Sequence, residues 1–500
     1  MLFSSHIFLF LFLPLTLGGF CLFARFLGPK PAKNWLTLAS LVFYGWWNPI
    51  YTVLIVASML VNFYLGRHIA LEVRAGRSRS AHLWLVAGVT ANLLLLGYYK
   101  YANFFVGNVN AVFGTHWNIA QIILPLGISF FTFTQIAYLV DARRGVACEY
   151  DLGDFLLFIT FFPHLIAGPI IHHSEMMPQF REPKTYRFNW DNLAVGLAVF
   201  AVGLFKKTVI ADRFSVSAGR IFEPVPLSGP MHAGDAWIGA LSYTFQLYFD
   251  FSGYSDMAIG LARMFGIVLP LNFNSPYKAV NITEFWHRWH MTLSRFLRDY
   301  LYIPLGGNRR GEFRRYVNLV LTMFIGGFWH GAAWTFALWG LFHGACLAVN
   351  HLWHGFWKGR GQSSLLPSWL TAWPARVFTF VLIVIGWVLF RAPDMHAATH
   401  VLGAMFRLGA VPAAGTPSLL KSNLWFWLAG ILAFVWLLPN TAEIFDRHQP
   451  YPGTVKTDSA GKIRWYHWNM GMLKAWLCAL MLGIAIIALS KSGEFLYYNF

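Results

Sequence analysis

The sequence predicts an all-α membrane protein that crosses the bilayer many times. Of its 500 residues, 57% are hydrophobic and only 12% are charged, which is far from the balance of a soluble domain. Apolar runs close to the roughly 20 residues that span a bilayer as a helix recur along the whole chain. These observations exclude a soluble globular fold and predict about ten to twelve spans, some of them short or broken.

The predicted spans are separated by short polar connections. Their apolar runs cover residues 7–24, 50–66, 82–99, 119–140, 153–171, 191–211, 237–263, 332–352, 374–391, 424–441 and 470–490. No internal repeat or low-complexity tract marks a second domain, so we expect residues 1–500 to form one membrane domain.

The first run, which precedes Arg25, Lys30 and Lys33, is typical of a retained membrane anchor. It lacks the basic segment and the Ala-x-Ala-like site of a cleaved signal peptide. The positive-inside rule places the three basic residues in the cytoplasm. Later basic clusters do not alternate cleanly between the two sides, which indicates re-entrant or interfacial segments. Further on, Asp394 stands at the start of a predicted interfacial helix over residues 391–409.

The basic character of the chain indicates lipid rather than nucleic acid as a partner. Its net charge of +17 is spread over short loops between apolar spans, where membrane lipids with anionic headgroups are expected. The four cysteines are scattered without CxxC spacing, so neither a disulfide framework nor a zinc site is predicted. We therefore expect no metal.

Two carboxylates interrupt the apolar segment LYFDFSGYSDMAIG at residues 247–260. Ionisable side chains in hydrocarbon cost roughly 2.5–3.5 kcal/mol on insertion scales, so Asp250 and Asp256 should face the protein interior. Gly253, between them, is a position where the predicted helix could break. We favour a structural interpretation, in which these carboxylates pair with arginine or cap a broken helix, over a functional one.

The next polar segment, residues 282–316, is strongly basic. Thr283 is placed to cap a helix from Glu284 to about Tyr302. On such a helix, one stripe carries Glu284, Arg288, Arg295 and Arg298, and a neighbouring stripe carries His287, His290 and Ser294. Two interpretations stay open, since arginines contact lipid headgroups and also bind the phosphates of a nucleotide-bearing cofactor bidentately. The arginines concerned are Arg288, Arg295, Arg298, Arg309, Arg310, Arg314 and Arg315.

A histidine stands in the apolar segment GGFWHGAAWTFALWG at residues 326–340. Glycines flank His330 and allow close approach of backbone or of a thin ligand, while Phe328, Trp329 and Trp334 exclude water. Desolvation favours the neutral form of an imidazole, which can accept a proton as a general base. From the residues alone, both a general base and a buried structural histidine fit this position.

These segments together resemble the membrane-bound O-acyltransferase family. The resemblance rests on FFPHLIAGPI (161–170), QLYFDFSGYSDMAIG (246–260), NFNSPY (272–277), residues 282–311 and GGFWHGAAWTFALWGLFHG (326–344). Shorter motifs extend it from the amino terminus to the final EFLYYNF, so it covers essentially the whole chain. Within the family, the chain is most similar to the membrane subunits of bacterial alginate O-acetylation.

The resemblance implies transmembrane, re-entrant and interfacial helices around a central tunnel, in which a cytoplasmic acyl donor meets an acceptor from the other side. It assigns catalytic roles to His330 and to His290, which lies in the family pattern Trp-His-x-Ser/Thr-Leu-Ser. We expect His330 to take the proton of the acceptor hydroxyl, and His290 to bind or polarise the reacting groups and help stabilise the developing oxyanion. Direct attack on the thioester and an acetyl-histidine intermediate both stay open. The implied reaction transfers acetyl from acetyl-CoA, at the bacterial inner membrane, to a periplasmic acetyltransferase of the SGNH type or a related one. That partner would then O-acetylate an exopolysaccharide such as alginate. The residues that we expect to hold CoA are Arg295, Arg298, Arg309, Arg310 and Trp329.

Several alternatives stay open. D-alanyl transfer to teichoic acid would use a carrier-protein thioester in place of acetyl-CoA, whereas acetylation of peptidoglycan or cellulose would change only the acceptor. A transporter for a glycolipid or a polymer would use the polar intramembrane residues as a path and would show no acetyl transfer.

Overall fold

The computed structural model describes residues 1–147, 151–223, 229–358, 368–408, 418–448, 451, 465–469, 471–489, 493 and 496. In these residues the chain forms α-helices, short 3-10 helices and short π-helical segments, and it forms no β-strand. The predicted all-α class is therefore confirmed.

The first half of the chain forms helices α1 to α11. They are α1 (Leu13–Phe26), α2 (Pro29–Gly45), α3 (Pro49–Arg74), α4 (Ser78–Leu96), α5 (Ala102–Phe113), α6 (Ile128–Arg143), α7 (Leu152–Thr160), α8 (Phe162–Leu165), α9 (His173–Arg181), α10 (Trp190–Phe205) and α11 (Asp212–Phe222). Helices α2 and α3 each begin with a proline. Proline is tolerated there because the first N–H groups of a helix have no intrahelical acceptor, so its missing N–H costs no hydrogen bond. Asn48 caps α3 by accepting a hydrogen bond from the backbone N–H of Ile50.

The second half forms helices α12 to α21. They are α12 (Ala233–Met264), α13 (Ile282–Arg288), α14 (Met291–Leu297), α15 (Glu312–His330), α16 (Trp334–Lys358), α17 (Ser368–Arg391), α18 (Met395–Met405), α19 (Leu424–Leu437), α20 (Thr441–Phe445) and α21 (Met472–Ala488). Helix α12 is continuous over 32 residues, so the predicted break at Gly253 is wrong. One glycine inside a helix costs only about 1 kcal/mol. The residues on both sides of Gly253 are buried, and their packing outweighs that cost.

The chain divides into two compact units. The first comprises Met1–Leu204, Tyr254–Leu271 and Phe445–Ser490, and the second comprises Phe205–Gly253, Asn272–Ile444 and Lys491–Phe500. The second unit contains His290, His330 and the basic segment between them, so the predicted site is described within it. The prediction of one domain over residues 1–500 stays a prediction.

Among the described residues, five helical segments are long and apolar enough to cross a membrane. They are Phe8–Phe26, Pro49–Arg74, Ser78–Phe113, Trp190–Phe222 and Thr371–Arg391. A sixth candidate is the bent pair Leu424–Leu437 and Thr441–His448, with an angle of 42° between its parts. Several spans agree with the predicted polytopic fold, and the larger number of about ten to twelve stays a prediction.

In the first half of the chain, two of the apolar runs form helices shorter than a full span. In the run at residues 119–140, helix α6 begins only at Ile128, after residues without helical structure. The run at residues 153–171 forms α7 and the four-residue α8, which Phe161 separates. These two runs therefore do not cross the bilayer as single straight helices.

The helix predicted near residues 391–409 is present as α18. Asp394 caps it, because its carboxylate accepts a hydrogen bond from the backbone N–H of Ala397 at 2.8 Å. Val401 and Met405 lie one turn apart on its buried side. Its position at a membrane interface stays a prediction.

Candidate active site

Helices α15 and α16 form a close antiparallel pair, and His330 is the last residue of α15. Glycines let the two backbones touch. A Cβ atom on Gly327 would lie 2.4 Å from the carbonyl oxygen of Phe336, and one on Gly340 would lie 2.3 Å from that of Met323. Both positions therefore exclude any side chain, as at close helix contacts in membranes. This contact fixes the end of α15 and with it the place of His330.

The ring of His330 is buried among aromatic side chains. It is 5% exposed, and its centroid lies 4.9 Å from the ring of Trp329, 5.3 Å from Trp339 and 5.1 Å from Phe390. A Cβ atom on Gly331 would lie 2.1 Å from an aromatic ring of α16. The glycines around His330 thus allow the protein's own backbone and rings to approach, and the rings keep water from the imidazole.

The predicted helix from Glu284 to Tyr302 is wrong, because the chain turns sharply at His290. Helix α13 ends at Arg288, and α14 begins at Met291. His290, between them, has a φ of 42° and a ψ of 53°, in the left-handed region that residues other than glycine rarely adopt. Strained backbone of this kind concentrates at functional sites, which supports the assignment of His290 to the site.

The break also changes the predicted arrangement of charges. Asn281, and not Thr283, caps α13, since its side chain accepts a hydrogen bond from the N–H of Glu284 at 2.8 Å. Glu284 and Arg288 lie one turn apart and form an ion pair at 2.8 Å. The other two arginines of the predicted stripe lie beyond the break, so the stripe of four charged residues is wrong.

Asn272 holds the ring of His290. Its side-chain oxygen lies 3.1 Å from Nδ1 of His290, and it accepts hydrogen bonds from the N–H and the hydroxyl of Thr292 at 3.3 and 2.9 Å. Because this oxygen can only accept, Nδ1 carries the proton and Nε2 presents a lone pair. The Asn272 carbonyl also accepts a hydrogen bond from the N–H of Met291 at 2.9 Å, which fixes the turn.

Burial keeps His290 neutral. The side chain is 1% exposed, in a turn outside the candidate spans of the described chain. Loss of hydration lowers the pKa of His290 to about 3. At neutral pH the ring is therefore a hydrogen-bonding group and not a cation.

The two histidines border one aromatic cluster. The ring of His330 contacts Trp339, which stacks on Trp387 with centroids 5.9 Å apart. Trp387 in turn lies 4.8 Å from Trp289, the residue before His290. The structure thus brings both predicted catalytic residues to this cluster, and their roles stay predictions.

The arginines predicted to bind phosphate differ in exposure. Arg295 is half-buried on α14, whereas Arg298, Arg309 and Arg310 are exposed. Arg298 donates two hydrogen bonds to Asp299, at 2.7 and 3.1 Å. An exposed pair of this kind contributes only about 0–1 kcal/mol, so a phosphate can replace the carboxylate. In the part of the chain that the structure describes, no three His, Cys, Asp or Glu side chains are grouped as metal ligands.

Asn318, on α15, hydrogen-bonds to the turn at residues 303–310, which carries Arg309 and Arg310. Its side chain is fully buried, and its amide donates hydrogen bonds to the carbonyls of Leu305 and Gly307 at 3.3 and 3.2 Å. The turn before α15 is thereby bound to the helix that ends at His330. A single asparagine in an apolar run carries no spacing signal, so this residue could not be found from the sequence.

Asp250 forms a buried charge cluster with Lys207 and Asp212. The ammonium of Lys207 lies 2.9 Å from Asp250 and 2.6 Å from Asp212, and all three side chains are at most 9% exposed. Asp250 also accepts a hydrogen bond from the backbone N–H of Leu496 at 3.1 Å. These contacts support the structural interpretation of Asp250, with a lysine in place of the expected arginine.

The surroundings of the two histidines differ in part from expectation. Trp334, predicted to exclude water, is 57% exposed, and Trp339 and Phe390 do so instead. Trp339 lies in the same short segment as His330 and was within reach of sequence reasoning. Asn272 belongs to the motif NFNSPY, but its spacing gives no sign of a bond to a histidine 18 residues later.

Comparison with known proteins finds relatives over most of the chain. The family model described as "MBOAT, membrane-bound O-acyltransferase family" matches residues 144–388, which include both histidines. A peptidoglycan O-acetyltransferase of Helicobacter pylori is 46% identical over 82% of this chain and 81% of its own length. A probable alginate O-acetylase, AlgI, of Pseudomonas aeruginosa is 45% identical over 82% of this chain and 75% of its own length. A teichoic acid D-alanyltransferase of Streptococcus thermophilus is 30% identical over 53% of this chain and 68% of its own length.

Proposed function

Because the chain belongs to the membrane-bound O-acyltransferase family, we propose that it transfers acetyl from cytoplasmic acetyl-CoA to a hydroxyl presented on the periplasmic side. The relatives named O-acetyltransferase and O-acetylase identify the chain as a membrane O-acetyltransferase. The observation that carries the finer proposal is the desolvated His330 at the end of α15, beside the aromatic cluster that also borders His290.

His330 is the general base of the proposed reaction. Its imidazole takes the proton of the acceptor hydroxyl while the hydroxyl oxygen bonds to the thioester carbonyl carbon. The tetrahedral intermediate then expels the CoA thiolate, and the proton held by His330 neutralises that thiolate. A base of this kind contributes roughly 10²–10⁴-fold to the rate. The surrounding rings exclude water, which protects the thioester from hydrolysis.

His290 has a different role, because Asn272 determines which nitrogen carries its proton. With Nδ1 donating to Asn272, Nε2 can accept a hydrogen bond and cannot donate one to an oxyanion. We therefore assign His290 to binding a donor group of a substrate, such as the reacting hydroxyl. The expected role of His290 in stabilising the oxyanion would need a hydrogen-bond donor at Nε2, so the proposed role replaces it.

The basic residues before α15 are proposed to bind the phosphates of CoA. Arg309 and Arg310 are exposed, and guanidinium groups bind phosphate bidentately. Arg295 and Arg298 are proposed to add further guanidinium groups for the phosphates, and Trp329, which contacts the His330 ring, is proposed to hold the acyl end. Arg310→Gln should raise the KM for acetyl-CoA several-fold without changing the KM for S-acetylpantetheine, which has no nucleotide. A common rise for both donors would contradict phosphate binding at this position.

The proposed acceptor is a hydroxyl of a periplasmic acetyltransferase of the SGNH type or a related one, which acetylates an exopolysaccharide such as alginate. The protein would then lie in the bacterial inner membrane, between its cytoplasmic donor and its periplasmic acceptor. The relative named for alginate supports alginate as the polymer, and the relative named for peptidoglycan supports a second polymer.

The decisive experiment compares the wild type with His330→Ala, both purified in detergent. The readout is release of CoA from acetyl-CoA with the periplasmic partner present, and CoA binding is measured in parallel. We expect His330→Ala to lose turnover and to keep CoA binding, and His287→Ala, at an exposed histidine of α13, to behave as the wild type. Unchanged turnover would exclude His330 as the base. A wild type that uses an acyl carrier protein, and not acetyl-CoA, would favour D-alanyl transfer.

A further inference from the structure

The hydroxyl of Tyr277 joins two helices in the interior of the second unit. It donates a hydrogen bond to the backbone carbonyl of Thr244, on α12, at 2.8 Å. It accepts one from the indole N–H of Trp387, on α17, at 3.2 Å. Tyr277 and Trp387 are each 1% exposed, and Thr244 is fully buried. Because water does not reach these bonds, loss of the hydroxyl would leave the indole N–H without its acceptor in the described chain.

Trp387 lies between the surroundings of the two proposed catalytic histidines. Its ring centroid is 4.8 Å from that of Trp289, the residue before His290. On its other side the centroid is 5.9 Å from that of Trp339, whose ring contacts His330 at 5.3 Å. A shift of this one indole would therefore reach both histidines through a single neighbouring residue on each side.

The ring of Tyr277 packs into the same aromatic cluster. It stacks on Trp289 with centroids 6.1 Å apart and an angle of 23°, and on Phe285 at 6.5 Å and 4°. These contacts belong to the ring and would remain in a phenylalanine. The bond to Trp387 belongs to the hydroxyl alone, so the two contributions can be separated by experiment.

Tyr277 is the last residue of the motif NFNSPY, at residues 272–277, and the first residue of that motif already has a role in the site. Asn272 holds the ring of His290, and Tyr277 holds the indole of Trp387. One short segment thus fixes a side chain on each side of the turn at His290. Protein interiors are close-packed, so the rings that these two bonds hold cannot move independently of their neighbours.

We propose that Tyr277 is a positioning residue, whose hydroxyl fixes Trp387 and, through it, the relative placement of the rings of His330 and His290. The inference rests on the proposed function, since it assigns a further residue to acetyl transfer. A small displacement of a reacting group lowers the rate of the chemical step. Among the described contacts of Tyr277, none involves an arginine proposed to bind CoA. The effect should therefore fall on kcat and not on the KM for acetyl-CoA.

The test is Tyr277→Phe, which removes one oxygen and keeps the stacked ring. Turnover of acetyl-CoA by the full-length protein is measured in detergent with the periplasmic partner present, and kcat is expressed per CoA-binding site. We expect kcat to fall about five- to tenfold, the worth of one hydrogen bond, and the KM to stay as in the wild type. A lower Tm with wild-type kcat per CoA-binding site would show that the hydroxyl serves stability alone and would overturn the proposal.

Tyr243→Phe is the matched control. Tyr243, on α12, is also fully buried in the second unit, but its hydroxyl makes no hydrogen bond within the described chain. This variant loses the same atom and should keep both kcat and KM. A loss of kcat as large as that of Tyr277→Phe would show that any buried tyrosine hydroxyl has this effect, which would contradict a specific role for Tyr277.

A double-mutant cycle tests whether Tyr277 acts through Trp387. Trp387→Phe removes the indole N–H that the hydroxyl accepts. If the bond between the two side chains carries the effect, Tyr277→Phe should lower kcat little further in a Trp387→Phe protein. Losses of kcat that multiply as independent factors would mean that Tyr277 acts by another route, and the proposal would be wrong.

Failure of this proposal can be distinguished from failure of the proposed function. If the wild type uses a carrier-protein thioester in place of acetyl-CoA, the same comparison with that donor should give the same loss of kcat. If the wild type transfers an acyl group from neither donor, the proposed function fails. The cycle then uses Tm values, where a loss shared by Tyr277→Phe and Trp387→Phe supports the positioning of Trp387 and additive losses overturn it.

Discussion

His330 and His290 border the same aromatic cluster, yet different forces hold them. His330 ends a helix that is positioned by contact between glycines and backbone, where Gly340 leaves no space for a side chain. His290 stands at a break in the chain, in a left-handed conformation, and Asn272 holds its ring by a hydrogen bond. The surroundings of His330 should therefore be sensitive to added volume, and those of His290 to the loss of polar groups.

The largest expected difference is chemical. His330→Gln removes the proposed base and should lower kcat for acetyl transfer by roughly 10²–10⁴-fold. His290→Gln keeps a hydrogen-bonding side chain, so its loss should be only about tenfold, the worth of one hydrogen bond. CoA release by the full-length variants measures both effects. Equal losses would mean that the two histidines share one role.

The next difference concerns space. Gly340→Ala places a Cβ atom 2.3 Å from the carbonyl oxygen of Met323, so α15 and α16 must separate. We expect the free energy of unfolding to fall by about 1–3 kcal/mol and activity to fall with it. Gly355→Ala, on the same helix with nothing within 4 Å, should instead raise it by up to about 1 kcal/mol. Thermal unfolding in detergent measures both changes. Equal changes in Tm for the two variants would contradict a tight contact at Gly340.

Acid should destabilise the folded protein through protonation of His290. The pKa of His290 is about 3 in the folded protein against 6.5 for a free histidine, so the unfolded chain binds the proton more readily. As the pH falls below 6.5, this difference lowers the free energy of unfolding by up to about 1.4 kcal/mol per pH unit, and above 6.5 it has no effect. The Tm of His290→Gln should therefore decline less steeply with acid than that of the wild type. Parallel profiles would show that His290 is not held neutral.

The smallest expected effect is a difference in stability between two threonine substitutions, one beside His290 and one on α15, the helix of His330. Thr292→Val removes a donor to Asn272 and should lower the free energy of unfolding by about 1 kcal/mol. Thr322→Val, on α15, removes a buried hydroxyl that makes no hydrogen bond within the described chain, so it should be neutral or stabilising. Tm values of the two proteins measure this difference, and a destabilised Thr322→Val would contradict it.

Sequence reasoning succeeded where the determinants are local. Gly327 and Gly331 lie within a few residues of His330, so the close packing around this ring could be anticipated from one segment. The break at His290 could not be anticipated in this way. Apolar periodicity continues through it, and Asn272, the residue that holds the turn, is distant in sequence. At Gly253 the error was the reverse: the sequence predicted a break, but α12 is continuous there. Burial along this helix outweighs the low helix propensity of a single glycine.

The two histidines also stand at opposite ends of their helices, and the aligned peptide dipoles act on them with opposite sign. The carboxyl end of a helix carries a partial negative charge and the amino end a partial positive one. As the last residue of α15, His330 lies where a cation is favoured by about 0.3–1 kcal/mol. His290, at the amino end of α14, lies where a cation is disfavoured. The electric field of the backbone thus suits His330 to gain a proton during the reaction and His290 to remain neutral throughout it.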